Sequence, residues 1–278
     1  MPPRPAATLP RPTPAGPPPG PTGLVVFVSD FGTRDAYAAE MAGALLKADP
    51  RAVPAAGHHG VPPQDVAAGA EALGRLVTAW PAGTTFVTVV DPGVGTDRAV
   101  LAATAGGQYH VAPDNGLLAA LLDADPAAEA VRLPAPPPGA SATFHGRDQM
   151  APAAGRLTRG VPLASLGEAV ADWARLPAPY YEIRPDGTAA GEVTRPDHFG
   201  NLLTTLPAGC VEAPATLHIA GRTINVGRTY GDVGDGESVA LAGSSGYYEV
   251  AVRNGSAAAV LGVGRGERVE VRGASVGA

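Results

Sequence analysis

From residue 24 onward, short apolar runs alternate with stretches of helical spacing, a pattern few folds can accommodate. LVVFVSD is apolar until it stops at a carboxylate, and GTRDAYAAEMAGALLKADP behind it places its apolar residues at helical intervals. VAAGAEALGRLVTAW reads as a second helix and TTFVTVVD as a buried strand ending in DPGVG. AVLAATA reads as a third strand, leading through YHVAP to the loop PDNG, and GLLAALLDAD as a helix opening directly after that loop. Such alternation predicts an α/β domain whose mainly parallel central sheet is covered on both faces. Ligands of such sheets bind beyond the carboxyl ends of the strands. Asp30, Asp91 and the Asp114–Asn115 pair all fall at predicted strand ends, so their loops are expected to converge on one pocket.

The texture changes at about residue 178, beyond the proline-rich PAPPPGAS and a helix near APAAGRLTRG. From Gly191 onward short β-like runs are punctuated by Gly, Asn and Asp, which predicts a small all-β, barrel-like C-terminal domain. The expected organisation is a disordered Pro-rich tail over 1–22, a catalytic α/β domain over 23–177, a linker over 178–190 and the β-barrel domain over 191–278. The tail lacks any apolar periodicity that would offset its ordering entropy. It is too broken by proline for a secretory signal, and no apolar run is long enough to span a bilayer, so the expected location is cytoplasmic, without membrane contact. The single cysteine, Cys210, excludes an internal disulfide framework and a multi-cysteine zinc site. A formal charge of −6, without a Lys/Arg cluster, argues against nucleic acid as partner.

Five segments mix polar side chains with glycine at a strand end or turn: SDFGTRDAY, DPGVGTDR, APDNGLL, TFHGRD and DHFGN. Glycine beside a carboxylate lets backbone approach a ligand closely. Taken singly, each has a plainer reading. DPGVG and PDNG suit ordinary turns, Asp114 suits a helix N-cap, and a lone His145 suits a satisfied core position. DPGVG lacks the spacing and lysine of a phosphate loop. GVGRGE at 262–267 lies in the β-rich region with no helix behind it, which removes the dinucleotide reading. Asp91, Arg98 and His145 have no Gly-x-Ser-x-Gly elbow to supply a serine, so any nucleophile must come from outside the chain.

In this order, VVDPGVGTDR, VAPDNGLL, TFHGRD followed by MAPAAGRL, and FGNLLTTL make the chain resemble the S-adenosyl-L-methionine hydroxide adenosyltransferases, relatives of fluorinase and chlorinase, from about Leu24 to Val271. The resemblance implies an N-terminal α/β domain, a C-terminal β-barrel, and a homotrimer whose active sites lie between subunits. It implies hydrolysis of S-adenosyl-L-methionine at ribose C5′ to adenosine and L-methionine, with that molecule as substrate, no further cofactor and no metal. Asp91, Arg98 and His145 form the implied catalytic set, whereas fluorinase has a tyrosine in place of Asp91 and a serine in place of Gly146. Asp30 would hold both ribose hydroxyls, and Asp35 and Tyr37 would lie near the methionine amine and carboxylate. Asp197 and Asn201, with Phe199 packing beside them, would take the methionine portion from a neighbouring subunit. Ser244 and Ser245 match a ligand-contacting Ser-Arg pair, so the arginine contact would be missing here. Backbone around Asn254 to Ala258 would meet the adenine edge, and Asp114, Asn115, Phe144 and Gly146 complete the implied substrate-binding set. Two positions depart from the pattern. Ala56 replaces a usual carboxylate in the loop where His59 matches the family histidine, and Thr205 stands where asparagine is common.

The sulfonium is already a good leaving group, so the protein must chiefly place a water in line with the C5′–S bond and exclude others. Either Asp91 or His145 would take its proton, with Arg98 orienting Asp91. Two readings compete: a halide-dependent 5′-halo-5′-deoxyadenosine synthase, and a non-catalytic binder of S-adenosylmethionine or adenosine.

Overall fold

The computed structural model describes residues 18–55, 57–212 and 214–273. Most of the predicted tail, and Ala56, lie outside the described residues. The chain divides into two compact units at Leu176/Pro177.

In the first unit the strands are β1 (Leu24–Ser29), β2 (Val53–Pro54), β3 (Thr85–Val89), β4 (Val100–Ala105), β5 (Gln108–Pro113), β6 (Glu129–Arg132) and β7 (Glu168–Val170). The helices are α1 (Tyr37–Ala48), α2 (Val66–Ala79), α3 (Ala119–Ala124) and α4 (Ala151–Thr158). The sheet runs β2-β1-β3-β5-β4-β6-β7. Strands alternate their side chains between two cores. Val25 and Phe27 pack with Met41 and Leu45 of α1 and Leu157 of α4, while Val26 and Val28 pack with Leu73 and Val77 of α2 and Leu121 of α3. Helices thus cover both faces, as the alternation implied.

The expectation of a mainly parallel sheet needs correction, because the sheet is mixed. β2, β1, β3 and β5 are parallel, whereas β5, β4, β6 and β7 are joined antiparallel. The cause is Gly106–Gly107, with φ of 59° and 74°, between the paired residues Ala105 and Gln108. Two consecutive residues with positive φ make a tight hairpin that turns β4 straight back into β5. The last residues assigned to the tail also join this unit: Thr22 N–H donates to Gly83 O at 3.1 Å, and Tyr109 Oη donates to Pro19 O at 3.3 Å.

The second unit contains β8 (Tyr181–Ile183), β9 (Ala189–Pro196), β10 (Leu202–Pro207), β11 (Ala215–Ile219), β12 (Arg222–Asn225), β13 (Ser238–Ala242), β14 (Tyr247–Val252), α5 (Ala257–Leu261) and β15 (Arg268–Gly273). Its antiparallel sheet runs β12-β11-β15-β9-β10-β14-β13, with β8 also on β9. A bridge between Val226 and Ala240 links the two ends, so the sheet nearly closes into a barrel around Leu202, Leu206, Leu217, Val250 and Val269. Residues 178–190, read from sequence as a linker, supply β8 and the start of β9. Thr205 is a brace here: its hydroxyl donates to Tyr180 O at 2.7 Å and accepts from Glu192 N–H at 2.9 Å.

His110 on β5 is 1% exposed, stacks on Phe86 with centroids 5.7 Å apart, and pairs Nε2 with Ala105 O at 3.2 Å. Its Nδ1 has no partner. Burial pushes this imidazole down to about 4 from 6.5. Unfolded chains bind the proton near 6.5 and the folded chain only near 4, so stability is complete above that window and falls as pH drops through it. The loss should approach about 3 kcal/mol at the acid end. Urea midpoints, followed by tryptophan fluorescence, should be lower at acid than at neutral pH, and His110→Gln should remove that share of the dependence. An unchanged slope in the variant would assign the effect to other groups.

Candidate active site

Ser29 of β1 and Val89 of β3 are register partners, so the two strands end side by side and carry Asp30 and Asp91 to the same edge of the sheet. Asp91 opens a tight loop in which Val94 N–H donates to Asp91 O at 3.2 Å and Thr96 N–H to Gly93 O at 3.1 Å. Gly95 has φ +80°, and a Cβ there would stand 2.9 Å from Ala142 O. Glycine therefore lets the 91–98 loop lie against the segment that carries His145. That segment enters a single π turn over Gly146–Met150, continued by α4, with His145 at its N-cap. A π turn is a rare local geometry, frequent at functional sites.

Arg98 joins the two segments. Its Nε donates to Asp91 Oδ1 at 2.9 Å, Nη2 donates to Asp91 Oδ2, and the same Nη2 lies 2.9 Å from His145 Nδ1. Arginine has only donors, so Nδ1 of His145 accepts and the ring's hydrogen sits on Nε2. Burial, and then the Arg98 charge, push the His145 imidazole below its usual range, with Asp91 and Asp148 opposing in part. The neutral ring this favours is the one the hydrogen bond requires. The Asp91 and Arg98 side chains are 6% and 10% exposed, which makes this a buried ion pair with bidentate geometry.

Around this group, Phe144 meets Phe31 at 5.7 Å and Tyr37 at 5.4 Å between centroids, both edge-on, and Arg147 lies 4.9 Å above the Phe144 ring. The segment after β1 therefore touches the His145 segment directly. Arg147 also forks to Glu40 and Asp148, each at 2.7 Å, which ties the π turn to α1. Gly146 is buried, and a Cβ on it would meet Met41 Sδ at 3.2 Å and Val89 Cγ1 at 3.3 Å. Asp30 accepts Gln64 N–H on Oδ2 at 2.8 Å. Asp35 is exposed ahead of α1, and Tyr37 begins that helix with 47% exposure.

Asn115 Nδ2 donates to Val90 O at 2.9 Å, bracing the residue before Asp91, and its Oδ1 is buried without a partner. Asp114 instead accepts Ala174 N–H at 2.8 Å and fastens the end of the unit. The helix behind it is capped at Leu118, so Asp114 is not its N-cap. Two open hollows of 510 and 760 Å³, one lined by 132–135 and 164–168, the other by parts of α1, 137–140 and the π turn, include none of Asp91, Arg98 and His145. Among the described residues no group of His, Cys, Asp and Glu is arranged to hold a metal ion.

In the second unit Asp197 organises its own loop. Oδ1 accepts from Phe199 N–H and Asn201 N–H, each at 2.9 Å, and Oδ2 from Asn201 Nδ2 at 3.0 Å. Asn201 is 6% exposed, while the Phe199 ring stands 74% exposed at the loop tip. Ser244 and Ser245 occupy the turn between β13 and β14, closed by Gly243 N–H donating to Tyr247 O at 2.8 Å. Asn254 has φ +55° just before Ser256, which caps α5. Gln64, which reaches Asp30 through its backbone, and Phe31 are additional to the residues expected from the sequence. A non-glycine residue in a left-handed turn carries no side-chain signature, but Phe31 could have been marked by its place inside SDFG.

The SAM hydroxide adenosyltransferase N-terminal domain matches residues 25–167, and the C-terminal domain of the same family matches 191–270. A Thermus thermophilus protein named (R)-S-adenosyl-L-methionine hydrolase is 41% identical over 261 residues, covering 89% of this chain and 98% of that protein. A protein from an Actinoplanes species named fluorinase is 30% identical over 215 residues, covering 66% of this chain and 71% of its own. The crystal structure of an uncharacterized conserved protein from Thermotoga maritima matches with a TM-score of 0.82 and 30% identity, over 89% of this chain and 99% of that one. Both domains in order, and matches along nearly the whole length, establish that this chain belongs to the SAM hydroxide adenosyltransferase family.

Proposed function

We propose that this chain hydrolyses S-adenosyl-L-methionine at ribose C5′, with adenosine and L-methionine as products. The observation that carries this reading is the buried Asp91–Arg98–His145 group, hydrogen-bonded through Arg98 at the same sheet edge as Asp30. Generating free hydroxide at neutral pH from water of pKa about 15.7 costs on the order of 12 kcal/mol. General-base assistance, in which a held water loses its proton as the C5′–O bond forms, spreads that cost along the reaction. His145 has Nδ1 occupied by Arg98 and its hydrogen on Nε2, which suits it to donate to the water or to a neighbouring oxygen. Asp91 keeps a second lone pair on each oxygen and is the group that takes the proton. The C5′–S bond breaks as the C5′–O bond forms, and its electron pair leaves on the methionine sulfur.

In this reading Asp30 accepts ribose hydroxyls, Asp35 and Tyr37 lie at the amino-acid end, and Asp197, Phe199, Asn201, Ser244 and Ser245 serve the methionine portion. The reading needs no cofactor, and it includes a homotrimer in the cytoplasm. Among the described residues no helix is long and apolar enough to cross a membrane. Incubation with S-adenosylmethionine of each sulfonium configuration, in chloride-free buffer and in chloride, should give adenosine in both buffers, faster from the R epimer named for the Thermus relative. Accumulation of 5′-chloro-5′-deoxyadenosine would instead make the chain a halide-using transferase, and tight binding without product would make it a binder. Sedimentation equilibrium tests the trimer.

A further inference from the structure

We infer that His59, bonded to Ser29, is a positioning residue for Asp30; this rests on the reading above, in which Asp30 accepts the ribose hydroxyls. The Ser29 side chain at the end of β1 is fully buried, and its Oγ lies 2.7 Å from His59 Nδ1. The loop carrying His59 runs along β1 as an added strand. His58 N–H donates to Phe27 O at 2.8 Å, Ser29 N–H to His58 O at 2.9 Å and Gly32 N–H to His59 O at 2.8 Å. The ring reaches Ser29 by folding over Gly57, where a Cβ would stand 2.7 Å from His59 Nε2 and 2.9 Å from Phe27 O. Glycine at 57 and histidine at 59 are thus parts of one clasp.

The clasp leads to Asp30 through Gln64. The loop turns at Gln64 with φ +65°, a left-handed conformation unfavourable for any residue but glycine, and this turn aims Gln64 N–H at Asp30 Oδ2. Asp65 follows at once as the N-cap of α2, accepting Ala68 N–H at 3.0 Å. The donor to Asp30 is therefore held at one end by the helix cap and at the other by the main-chain bonds of residues 58–61 to the end of β1, which the Ser29–His59 side-chain bond reinforces. With Oδ2 held, rotation of the carboxylate is restricted, and Oδ1 stays available for a pair of vicinal hydroxyls. Without the clasp the unfavourable turn keeps only main-chain restraints on its N-terminal side, such as Val61 N–H donating to Ser29 O at 3.3 Å, and the carboxylate loses part of its orientation rather than its charge.

The test is calorimetric binding of adenosine and of 2′,3′-dideoxyadenosine to the full chain, a readout independent of turnover. His59→Ala and Ser29→Ala should each weaken adenosine about tenfold, equivalent to about 1.4 kcal/mol, while the dideoxy analogue changes less than about twofold. His59→Asn, whose amide can occupy the position of Nδ1, should restore most of the loss. In an Asp30→Ala background His59→Ala should add less than about twofold, because its effect passes through Asp30. Equal weakening of both nucleosides, or the full effect in the Asp30→Ala background, would make the clasp merely structural and overturn the inference. If Asp30→Ala weakens adenosine but His59→Ala and Ser29→Ala do not, the inference alone falls. If Asp30→Ala itself leaves adenosine unchanged, the ribose reading falls with it.

Discussion

Asp91→Asn is expected to lower turnover of S-adenosylmethionine by about 10³-fold, within the range that a positioned general base contributes. Affinity should change by less than about fivefold, because the proton moves only as the C–O bond forms. The replacement keeps shape and burial but removes the lone pairs that would receive the proton. It also turns an amide N–H₂ toward Arg98 Nη2, where two donors face each other. The measurement is a single-turnover rate beside an independent dissociation constant at a temperature where both proteins are folded. His145→Ala should also be slow, since it removes the Nε2 donor. Loss of binding equal to loss of rate in Asp91→Asn would remove Asp91 from the chemistry.

The second large effect is on stability. Arg98→Met leaves the Asp91 carboxylate, 6% exposed, without its cation, and breaking a buried pair from one side costs about 3–5 kcal/mol. Removing both charges in Asp91→Leu/Arg98→Met should recover most of that loss, because an apolar pair of similar volume avoids the desolvation cost. Urea unfolding followed by fluorescence reads this unit well: both tryptophans, Trp80 and Trp173, belong to it. A single variant as stable as the parent would show that water reaches the pair freely.

The parallel half of the first sheet was legible because LVVFV is a continuous apolar run and TTFVTVV consists of β-branched residues and phenylalanine, which suits strands buried on both faces. The antiparallel half was harder to read. Gly106–Gly107 is a strong hairpin signal set in AVLAATAGGQYHVAP, but YHVAP is too short to read as a strand beside AVLAATA, which hides the reversal into β5. β6 is four residues long with charged ends, and β7 and β8 are three residues each, too short for a period of two to show. At the candidate site the separations of 7 and 47 residues that Arg98 spans carry no local pattern, so grouping Asp91, Arg98 and His145 depended on resemblance. The tautomer of His145 is set by which nitrogen faces the guanidinium, a matter of geometry that no spacing encodes. The hold on Asp30 comes from a main-chain N–H in a left-handed turn at Gln64, a donor every residue but proline possesses.

Attack of water at C5′ of the ribose makes the oxygen of water the 5′-hydroxyl of adenosine. Turnover in water enriched in the heavy oxygen isotope, with mass analysis of both products, follows that oxygen. One heavy oxygen is expected in adenosine, at the 5′-hydroxyl, and none in methionine. Unlabelled adenosine, or methylthioadenosine appearing beside labelled homoserine, would contradict attack of water at C5′.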